Sequence, residues 1–313
     1  MIPKPQIRDL PVYQPGKPIE EVKRELGLAH VIKLASNENP YGCSPKVKEA
    51  IAAEAANLQL YPDGAAVLLK EALSRHYGVG AERLIIGAGS DELLALIARA
   101  FLTPGDEAVM ATHTFGQYRH NVTIEGAVPV EVPMIDGTHD LPGMLQRIND
   151  RTKIVFVCNP NNPTGTMVGH ADVAAFVEKV PSRVMIVLDE AYAEYAAPYS
   201  DYPRSLELAK RHPNVLILRT FSKAYGLAAL RVGYGIGSPD VIRSINQVRG
   251  PFNTTRLSQA AAVAALEDQE FVRVCAARNR EGIRFLTDRF TQMGLFFYPA
   301  WGNFVLVDTG LPA

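Results

Sequence analysis

The stretch VLILRTFSKAYG, residues 215–226, begins as a continuous apolar run and ends in hydroxyl, amine and glycine residues. A short apolar run of this kind is typical of a strand that is buried on both faces of a parallel sheet. In such sheets, ligands bind beyond the carboxyl ends of the strands. Lys223 therefore falls where a binding site is expected, and Arg231 follows it eight residues later.

The same pattern of apolar runs with polar endings recurs along the chain. Strands are predicted at residues 84–86, 108–111, 128–132, 154–158, 184–188, 215–218 and 232–236. Helical spacing of apolar residues predicts helices at about residues 46–58, 65–77, 92–101, 118–124 and 171–180. Alternating buried strands and helices predict an α/β fold whose mainly parallel sheet is covered by helices on both faces.

The chain of 313 residues divides into three predicted parts. Residues 1–45 are rich in proline, glycine and asparagine and are interpreted as an extended N-terminal arm lying across another surface. Residues 46–250 form the large domain. Residues 251–313, with helices at 257–266 and 269–290 and a strand at 304–307, form a smaller α+β domain. Since no partner strand follows residues 304–307, this domain looks truncated at its C-terminus.

Composition and charge argue against several functional classes. Hydrophobic residues make up 47% of the chain, which is enough for a sizeable core. The 32 Lys and Arg residues nearly balance the 33 Asp and Glu residues, which argues against a nucleic-acid partner. Neither a signal peptide nor an apolar run of about 18 residues is visible, so no membrane association is expected. Three cysteines without CxxC spacing and seven histidines without metal-ligand spacing favour a cytoplasmic protein that has no metal site.

An amine, a guanidinium and a carboxylate occur in the segments that are expected to meet at one edge of the sheet. Lys223 can form a Schiff base with an aldehyde, and Arg231 can hold a phosphate through paired N–H donors. Asp189 ends a predicted strand and can keep a pyridine nitrogen protonated. These are the three groups that pyridoxal phosphate chemistry requires, so the sequence predicts that cofactor. A helix N-cap is the alternative role for Asp189.

Further side chains extend this prediction. Tyr192 and Asn162 can donate hydrogen bonds to the phenolic oxygen of the cofactor, and Phe115 can stack on its ring or belong to the core. Tyr61, at a turn, can reach a phosphate or lie on an ordinary surface. The remaining candidates provide small residues at a helix N-terminus or hydroxyl groups for the phosphate, and they are Gly89, Ser90, Asp91, Thr220 and Ser222.

Taken together, these residues resemble the fold type I pyridoxal phosphate aminotransferases, and more narrowly the histidinol-phosphate aminotransferases within that family. The resemblance rests on SNENPYG (36–42), NNPTG (161–165), DEAY (189–192) and TFSKAYGLAALRVG (220–233). It implies a homodimer whose site lies at the subunit interface, with the arm 1–45 in the subunit contact and Tyr61 reaching in from the partner. It also implies that Tyr13 and Asn39 lie near the substrate, and that the arginine binding the substrate carboxylate lies beyond Ala313.

The activity implied by the resemblance is a transamination with small amino-acid and keto-acid substrates. Histidinol phosphate and 2-oxoglutarate would be interconverted with imidazole-acetol phosphate and glutamate, a step of histidine biosynthesis, and Lys223 would move the proton. Two enzymes on the same fold stay open as alternatives, an aromatic aminotransferase and a decarboxylase acting on threonine phosphate. A cofactor-binding regulatory module fused to a DNA-binding domain is disfavoured, because no helix-turn-helix pattern is present at the N-terminus.

Overall fold

A single seven-stranded sheet organises the molecule, whose computed structural model describes residues 1–12, 14 and 16–311. The strands are β1 (Leu84–Gly87), β2 (Glu107–Ala111), β3 (Val128–Val132), β4 (Thr152–Cys158), β5 (Met185–Asp189), β6 (Val215–Thr220) and β7 (Gly233–Ile236). They lie in the order β1-β7-β6-β5-β4-β2-β3. Each of them overlaps a strand that the sequence predicts.

The pairing confirms a mainly parallel sheet and adds one reversed strand. β3, β2, β4, β5 and β6 pair in parallel, whereas β7 is antiparallel to both β6 and β1. β6 and β7 are joined by residues 221–232, which include one short 3-10 turn but no crossover helix. A connection of this length returns the chain beside the strand that it left, so the pair is antiparallel. Lys223 and Arg231 both lie in this connection, at the carboxyl end of β6.

Helices cover both faces of the sheet, as predicted. They are α1 (Ile19–Leu26), α2 (Pro45–Glu54), α3 (Val67–Tyr77), α4 (Gly89–Phe101), α5 (Gln117–Ile124), α6 (Leu141–Gln146), α7 (His170–Lys179), α8 (Ala193–Ala196), α9 (Ser205–Arg211), α10 (Pro239–Val248), α11 (Arg256–Leu266) and α12 (Gln269–Gln292). Among the residues that the structure describes, no helix is both long enough and apolar enough to cross a membrane.

The sequence patterns do not predict α1, α6, α8, α9 or α10, and α1 corrects the expectation that residues 1–45 are extended. Acidic residues occupy the first turn of α1 and basic residues its last turn, which complements the helix dipole. Gly27 then ends the helix in the left-handed conformation, with φ at 65°. The prolines and glycines on either side of this short helix concealed it.

The strand predicted at residues 304–307 is also wrong. Within the described residues this run forms only an isolated bridge between Phe297 and Val307. Phe304 instead packs its ring edge-on against Tyr192, with the centroids 5.1 Å apart. The apolar run thus packs on Tyr192 and shares only two backbone hydrogen bonds with residues 296–298, from Tyr298 N to the Leu306 carbonyl and from Asp308 N to the Phe296 carbonyl, which is too few for a strand.

Two apolar clusters lie on opposite faces of the sheet. In β5, Ile186 and Leu188 belong to the cluster with α2, α3, α6, α7 and α11. Met185 and Val187 belong to the cluster with α4, α5 and α10. Full burial of each such side chain contributes about 1.5–3 kcal/mol. Because the strands are buried on both faces, their carboxyl ends are held in fixed positions. The polar residues that follow directly after the strands are therefore also held in place.

One glycine brings the N-terminal arm onto the edge of the sheet. Gly226 has φ at 73°, and a Cβ there would lie 1.8 Å from the carbonyl oxygen of Gly42. Only a residue without a side chain allows the two backbones to approach this closely. The contact places residues 36–43 beside the connection that carries Lys223.

Candidate active site

A cavity at the carboxyl edge of the sheet gathers residues from the segments that follow β1, β4, β5 and β6. It is lined by Ser90, Asp91, Phe115, Cys158, Asn162, Asp189, Ala191, Tyr192, Thr220, Ser222, Lys223 and Arg231. Of the other predicted residues, Gly89 lies directly against Arg231, whereas Tyr61 and Asn39 lie elsewhere. Tyr13 lies outside the described residues.

Hydrogen-bond donors converge at one end of the cavity. Arg231 Nη1 donates to Ser222 Oγ at 3.1 Å, and Thr220 Oγ1 donates to the same oxygen at 3.0 Å. The N-terminus of α4 adds backbone N–H groups and the positive end of a helix dipole. Gly89 has φ at 81°, and a Cβ there would lie 2.5 Å from Arg231 Nη2. The missing side chain therefore keeps open a cradle whose charge and donors suit a phosphate dianion.

Asp91 contributes to this cradle through an ion pair with Arg231, whereas Thr220 and Ser222 contribute hydroxyl groups. Its carboxylate Oδ2 lies 3.5 Å from Arg231 Nη2. A carboxylate would repel a phosphate, so the side chain of Asp91 is assigned to orienting the guanidinium rather than to binding the anion. Gly233, opposite, must also lack a side chain, since a Cβ there would lie 2.6 Å from the backbone nitrogen of Ser90.

Asp189 is buried at the end of β5 and only half of its carboxylate is satisfied. Tyr118 donates its hydroxyl to Oδ2 at 2.7 Å, whereas Oδ1 has no partner among the described residues. Burial raises the pKa of Asp189 from 3.8 to about 6, and the hydrogen bond from Tyr118 opposes this rise. A buried carboxylate oxygen without a donor is costly. A protonated ring nitrogen is the kind of donor that removes this cost.

Tyr192 points a hydroxyl into the cavity and receives two amide donors. Asn162 Nδ2 lies 3.4 Å from the hydroxyl oxygen and Asn37 Nδ2 lies 3.1 Å from it. Burial raises the pKa of Tyr192, so the hydroxyl keeps its proton at neutral pH. The cavity that contains Asp189 therefore also presents a neutral O–H donor.

Lys223 lies between these groups. Its Nζ donates to the backbone carbonyl of Ser36 at 2.9 Å and lies 5.6 Å from the centre of the Tyr192 ring. Burial lowers the pKa of Lys223, although the nearby carboxylates of Asp91 and Glu38 oppose this effect. A lowered pKa increases the fraction of neutral amine, which is the form that attacks an aldehyde.

Three predicted residues occupy less direct positions. Phe115 faces the cavity and packs edge-on against Tyr118, with the ring centroids 5.7 Å apart. Tyr61 is exposed and stacks on Phe252 at 4.8 Å, so it does not reach the cavity of its own chain. Asn39 Nδ2 donates to the carbonyl of Ala224 at 2.9 Å, which makes it a link between the arm and the Lys223 connection.

The sequence reading missed Asn37 and Tyr118. Asn37 stands in the SNENPYG segment, which is a usable signal, but within that segment the resemblance points to Asn39. Tyr118 carries no comparable signal, because a tyrosine on an amphipathic helix is usually a core residue. Among the described residues, no group of three or more His, Cys, Asp or Glu side chains is placed to hold a metal ion.

A buried ion pair supports the strand ends from the opposite face of the sheet. Arg219 donates from Nε and Nη2 to Glu190 Oε2, at 2.9 and 2.7 Å. Arg219 Nη1 donates to the Tyr77 hydroxyl at 3.0 Å, and that hydroxyl lies 2.6 Å from the hydroxyl of Tyr234. The network ties β5, β6 and β7 together next to Asp189, Thr220 and Gly233. It was not foreseen from the sequence.

These residues fit pyridoxal phosphate at both of its charged ends. The donor cradle beside Gly89 suits the phosphate, and the unpaired oxygen of Asp189 suits the ring nitrogen. Lys223 lies in the same cavity with an amine available for the aldehyde.

Comparisons with known proteins agree with this chemistry. The family model of aminotransferase class I and II matches residues 29–313. A histidinol-phosphate aminotransferase of Geobacillus sp. strain WCH70 is 55% identical over 308 residues, which cover 98% of this chain and 84% of that protein. The crystal structure of histidinol-phosphate aminotransferase from Sinorhizobium meliloti in complex with pyridoxal-5′-phosphate superposes with a TM-score of 0.90 at 33% identity, covering 98% of this chain and 82% of that one. An aspartate aminotransferase double mutant from Thermus thermophilus superposes with a TM-score of 0.86 at 25% identity, covering 99% of this chain and 86% of that one.

Proposed function

Because the chain belongs to the aminotransferase class I and II family, we infer that it transfers an amino group between histidinol phosphate and 2-oxoglutarate, with pyridoxal 5′-phosphate as its cofactor. This reaction is a step of histidine biosynthesis. The observation that carries the chemistry is the meeting of an amine, a half-satisfied buried carboxylate and a phosphate cradle in one cavity. The choice of substrate is supported by relatives that share more than half of this sequence. A shared fold does not decide which substrate is used, since an aspartate aminotransferase superposes almost as well.

Each end of the cofactor has its own set of residues in this proposal. Arg231, Ser222, Thr220, Ser90 and the backbone N–H groups of Gly89 and Asp91 hold the phosphate. Asp189 binds the ring nitrogen, which gives its Oδ1 atom a donor. Tyr192 and Asn162 bind the phenolic oxygen, and Phe115 stacks on the ring.

The protein groups then control proton positions. When bound, pyridoxal phosphate supplies an aldehyde for the amino substrate and a protonated ring that withdraws electrons from the substrate Cα. Asp189 keeps the ring nitrogen protonated, because its carboxylate stabilises the positive charge in a buried setting. Lys223 Nζ would act as the general base that takes the proton from the substrate Cα and holds it within the site. Phe115 lines the cavity and Phe304 packs on Tyr192, so both place apolar surface next to the site and limit access of water.

The proposed substrate is tested by turnover with competing amino donors. With 2-oxoglutarate as acceptor, histidinol phosphate should give a kcat/KM at least about 10-fold higher than tyrosine or phenylalanine, since differential contacts to a substrate phosphate discriminate by at least that factor. Glutamate formation measures each reaction. A higher value for an aromatic amino acid would assign the aromatic aminotransferase instead. Release of carbon dioxide from threonine phosphate, without keto-acid formation, would assign the decarboxylase.

We also propose that the protein acts as a homodimer. Several large apolar side chains are exposed around α3 and α11, namely Leu58, Leu60, Tyr61, Leu68 and Phe252. Leu68 also lines a groove of about 400 Å³, together with Arg256 and Val263. An exposed apolar area of this kind on a globular protein usually marks an interaction surface. A partner seated there would bring its own Tyr61 toward a site that the Tyr61 of the same chain does not reach.

Sedimentation measures this prediction directly. The protein should sediment as a dimer, and Leu68→Arg should shift it toward the monomer because a charge would be buried in the contact. Leu286→Arg serves as the matched control, since Leu286 is an exposed leucine on α12, away from that groove. A monomeric wild-type protein would contradict the dimer, and equal behaviour of the two variants would contradict the groove at Leu68 as its contact surface.

The domain organisation and the cellular location of the protein are also proposals. We propose that residues 46–250 form the cofactor-binding domain and that residues 1–45 and 251–313 flank it. The contacts of Gly226 with Gly42 and of Phe304 with Tyr192 support this division, because both flanking parts touch the edge of the sheet that holds the site. The cytoplasm is the proposed location, as the three cysteines are free thiols and the substrates belong to amino-acid biosynthesis.

A further inference from the structure

The hydroxyl of Tyr192 has a hydrogen-bond geometry that restricts where its proton can point. A phenol has one O–H donor and accepts through its oxygen lone pairs. Asn37 and Asn162 both approach that oxygen with amide Nδ2 atoms, which only donate. Two amide donors therefore occupy the accepting side of the oxygen. The O–H bond is left to point away from both amides, into the cavity.

Asn37 is held in place by anchors on both sides. Ser36 and Asn37 both have left-handed backbone conformations, with φ at 71° and 51°. Asparagine adopts this conformation more readily than most residues, whereas serine at such a φ is uncommon and persists where the surrounding structure enforces it, often at functional sites. The contacts that hold the segment are Asn303 Nδ2 donating to the Asn37 carbonyl and, in the cofactor-free protein, Lys223 Nζ donating to the Ser36 carbonyl, each at 2.9 Å. The side-chain amide of Asn37 is thus aimed at Tyr192 by the fold.

We propose that Asn37 is a positioning residue that orients the Tyr192 hydroxyl so that it donates to the phenolic oxygen of bound pyridoxal phosphate, a role that rests on the proposed function. Asn162 is the weaker of the two amide donors in the structure, at 3.4 Å against 3.1 Å for Asn37. The arm that carries Asn37 is therefore part of the cofactor site, and it acts through Tyr192 rather than by touching the ring.

Loss of the oriented Tyr192 O–H donor should change the basicity of the phenolic oxygen of the bound cofactor. A well-directed O–H donor stabilises negative charge on the phenolic oxygen. If that donor rotates away, the oxygen becomes more basic and holds the neighbouring imine proton more tightly. The pKa read from the cofactor absorbance then rises, and the cofactor binds less tightly. The hydrogen bond from Asn37 also lowers the pKa of Tyr192 itself, against the larger opposite effect of burial.

The test is a pH titration of cofactor absorbance in Asn37→Gly, combined with Tyr192→Phe in a double-mutant cycle. Glycine retains the left-handed backbone but lacks the amide, so the fold of the arm is kept. In the wild-type background the pKa should rise by about 0.5 to 1 pH unit, the value of one neutral hydrogen bond. Fluorescence titration of the cofactor-free protein should show about 3- to 10-fold weaker binding of pyridoxal phosphate. In the Tyr192→Phe background the same substitution should change neither quantity.

Asn37→Asp provides a second variant of nearly the same shape. Its carboxylate accepts the Tyr192 proton instead of donating, so the pKa should rise by at least as much as in Asn37→Gly. An unchanged pKa and affinity in Asn37→Gly, or an equal shift in both backgrounds, would overturn the positioning role. If the wild-type protein binds no pyridoxal phosphate, both proposals fall. If it binds the cofactor but does not use histidinol phosphate, only the proposed substrate falls, and the titration still decides the role of Asn37.

Discussion

Lys223→Ala should reduce transamination of histidinol phosphate by at least about 10³-fold. A positioned general base alone contributes about 10²- to 10⁴-fold, and this variant also loses the amine that reacts with the cofactor aldehyde. The phosphate cradle and Asp189 do not depend on the lysine, because the structure shows no hydrogen bond from Lys223 to either within the described residues. Pyridoxal phosphate should therefore still bind, but its absorbance should be that of a free aldehyde. Steady-state kinetics and an absorbance spectrum measure the two effects.

Lys210→Ala is the matched control for this variant. Lys210 is an exposed lysine on α9, away from the cavity, so its loss should leave both turnover and spectrum unchanged. Retention of normal turnover by Lys223→Ala would contradict the assignment of this residue. An equal loss in Lys210→Ala would show that the assay responds to general damage rather than to the active-site amine.

Asp189→Asn should lower turnover by about 10²- to 10³-fold, the effect of removing one preorganised electrostatic contact from a buried site. The amide keeps the size of the carboxylate and can still accept the Tyr118 hydrogen bond, so the cavity keeps its shape. What is lost is the negative charge that holds a proton on the ring nitrogen. Turnover should therefore fall far more than cofactor affinity, because the phosphate cradle is unchanged. Steady-state kinetics and cofactor titration separate these quantities.

The same variant should change how the stability of the cofactor-free protein depends on pH. Asp189 has a pKa of about 6 in the folded protein, raised by burial from the ordinary aspartate value of 3.8. The folded state therefore binds the extra proton between these pH values, and the contribution of Asp189 to stability is complete below pH 3.8 and lost as pH rises through about 6. Relative to Asp189→Asn, the wild-type free energy of unfolding should fall by about 3 kcal/mol across this window.

Urea denaturation at several pH values measures the difference. Glu194 is also buried, with a pKa raised by burial to about 7, but it is present in both proteins and cancels in the comparison. Asp150→Asn, at a fully exposed carboxylate, should follow the wild-type curve. Parallel curves for wild type and Asp189→Asn would show that the carboxylate is already satisfied in the absence of the cofactor. Added pyridoxal phosphate should reduce the fall in the free energy of unfolding that the wild-type protein shows as pH rises, because the ring nitrogen supplies the donor that Asp189 Oδ1 lacks.

Local patterns account for most of what could be foreseen. A parallel strand buried on both faces must be apolar throughout, so the runs before Asp189 and Thr220 indicated strands. The polar residues that follow such strands meet at one edge by geometry alone. The run at 304–307 has the same composition, yet it is not a strand, since strand formation requires a neighbour that the local pattern does not specify. The short helix α1 was not predicted, because the prolines and glycines on either side of it dominate the composition of residues 1–45.

The amino-acid sequence by itself determined the cofactor chemistry, because Lys223, Asp189 and Arg231 each follow a feature that local spacing reveals. Tertiary structure alone decided how these groups are tuned. The hydrogen bond of Tyr118 to Asp189 spans 71 residues and that of Asn37 to Tyr192 spans 155. Contacts between residues so far apart arise only when helices and arm pack on the sheet, and burial in that packing is what raises the pKa of Asp189 and lowers that of Lys223. The stretch around Lys223 thus specifies which reaction is possible, whereas packing sets the protonation states in which it proceeds.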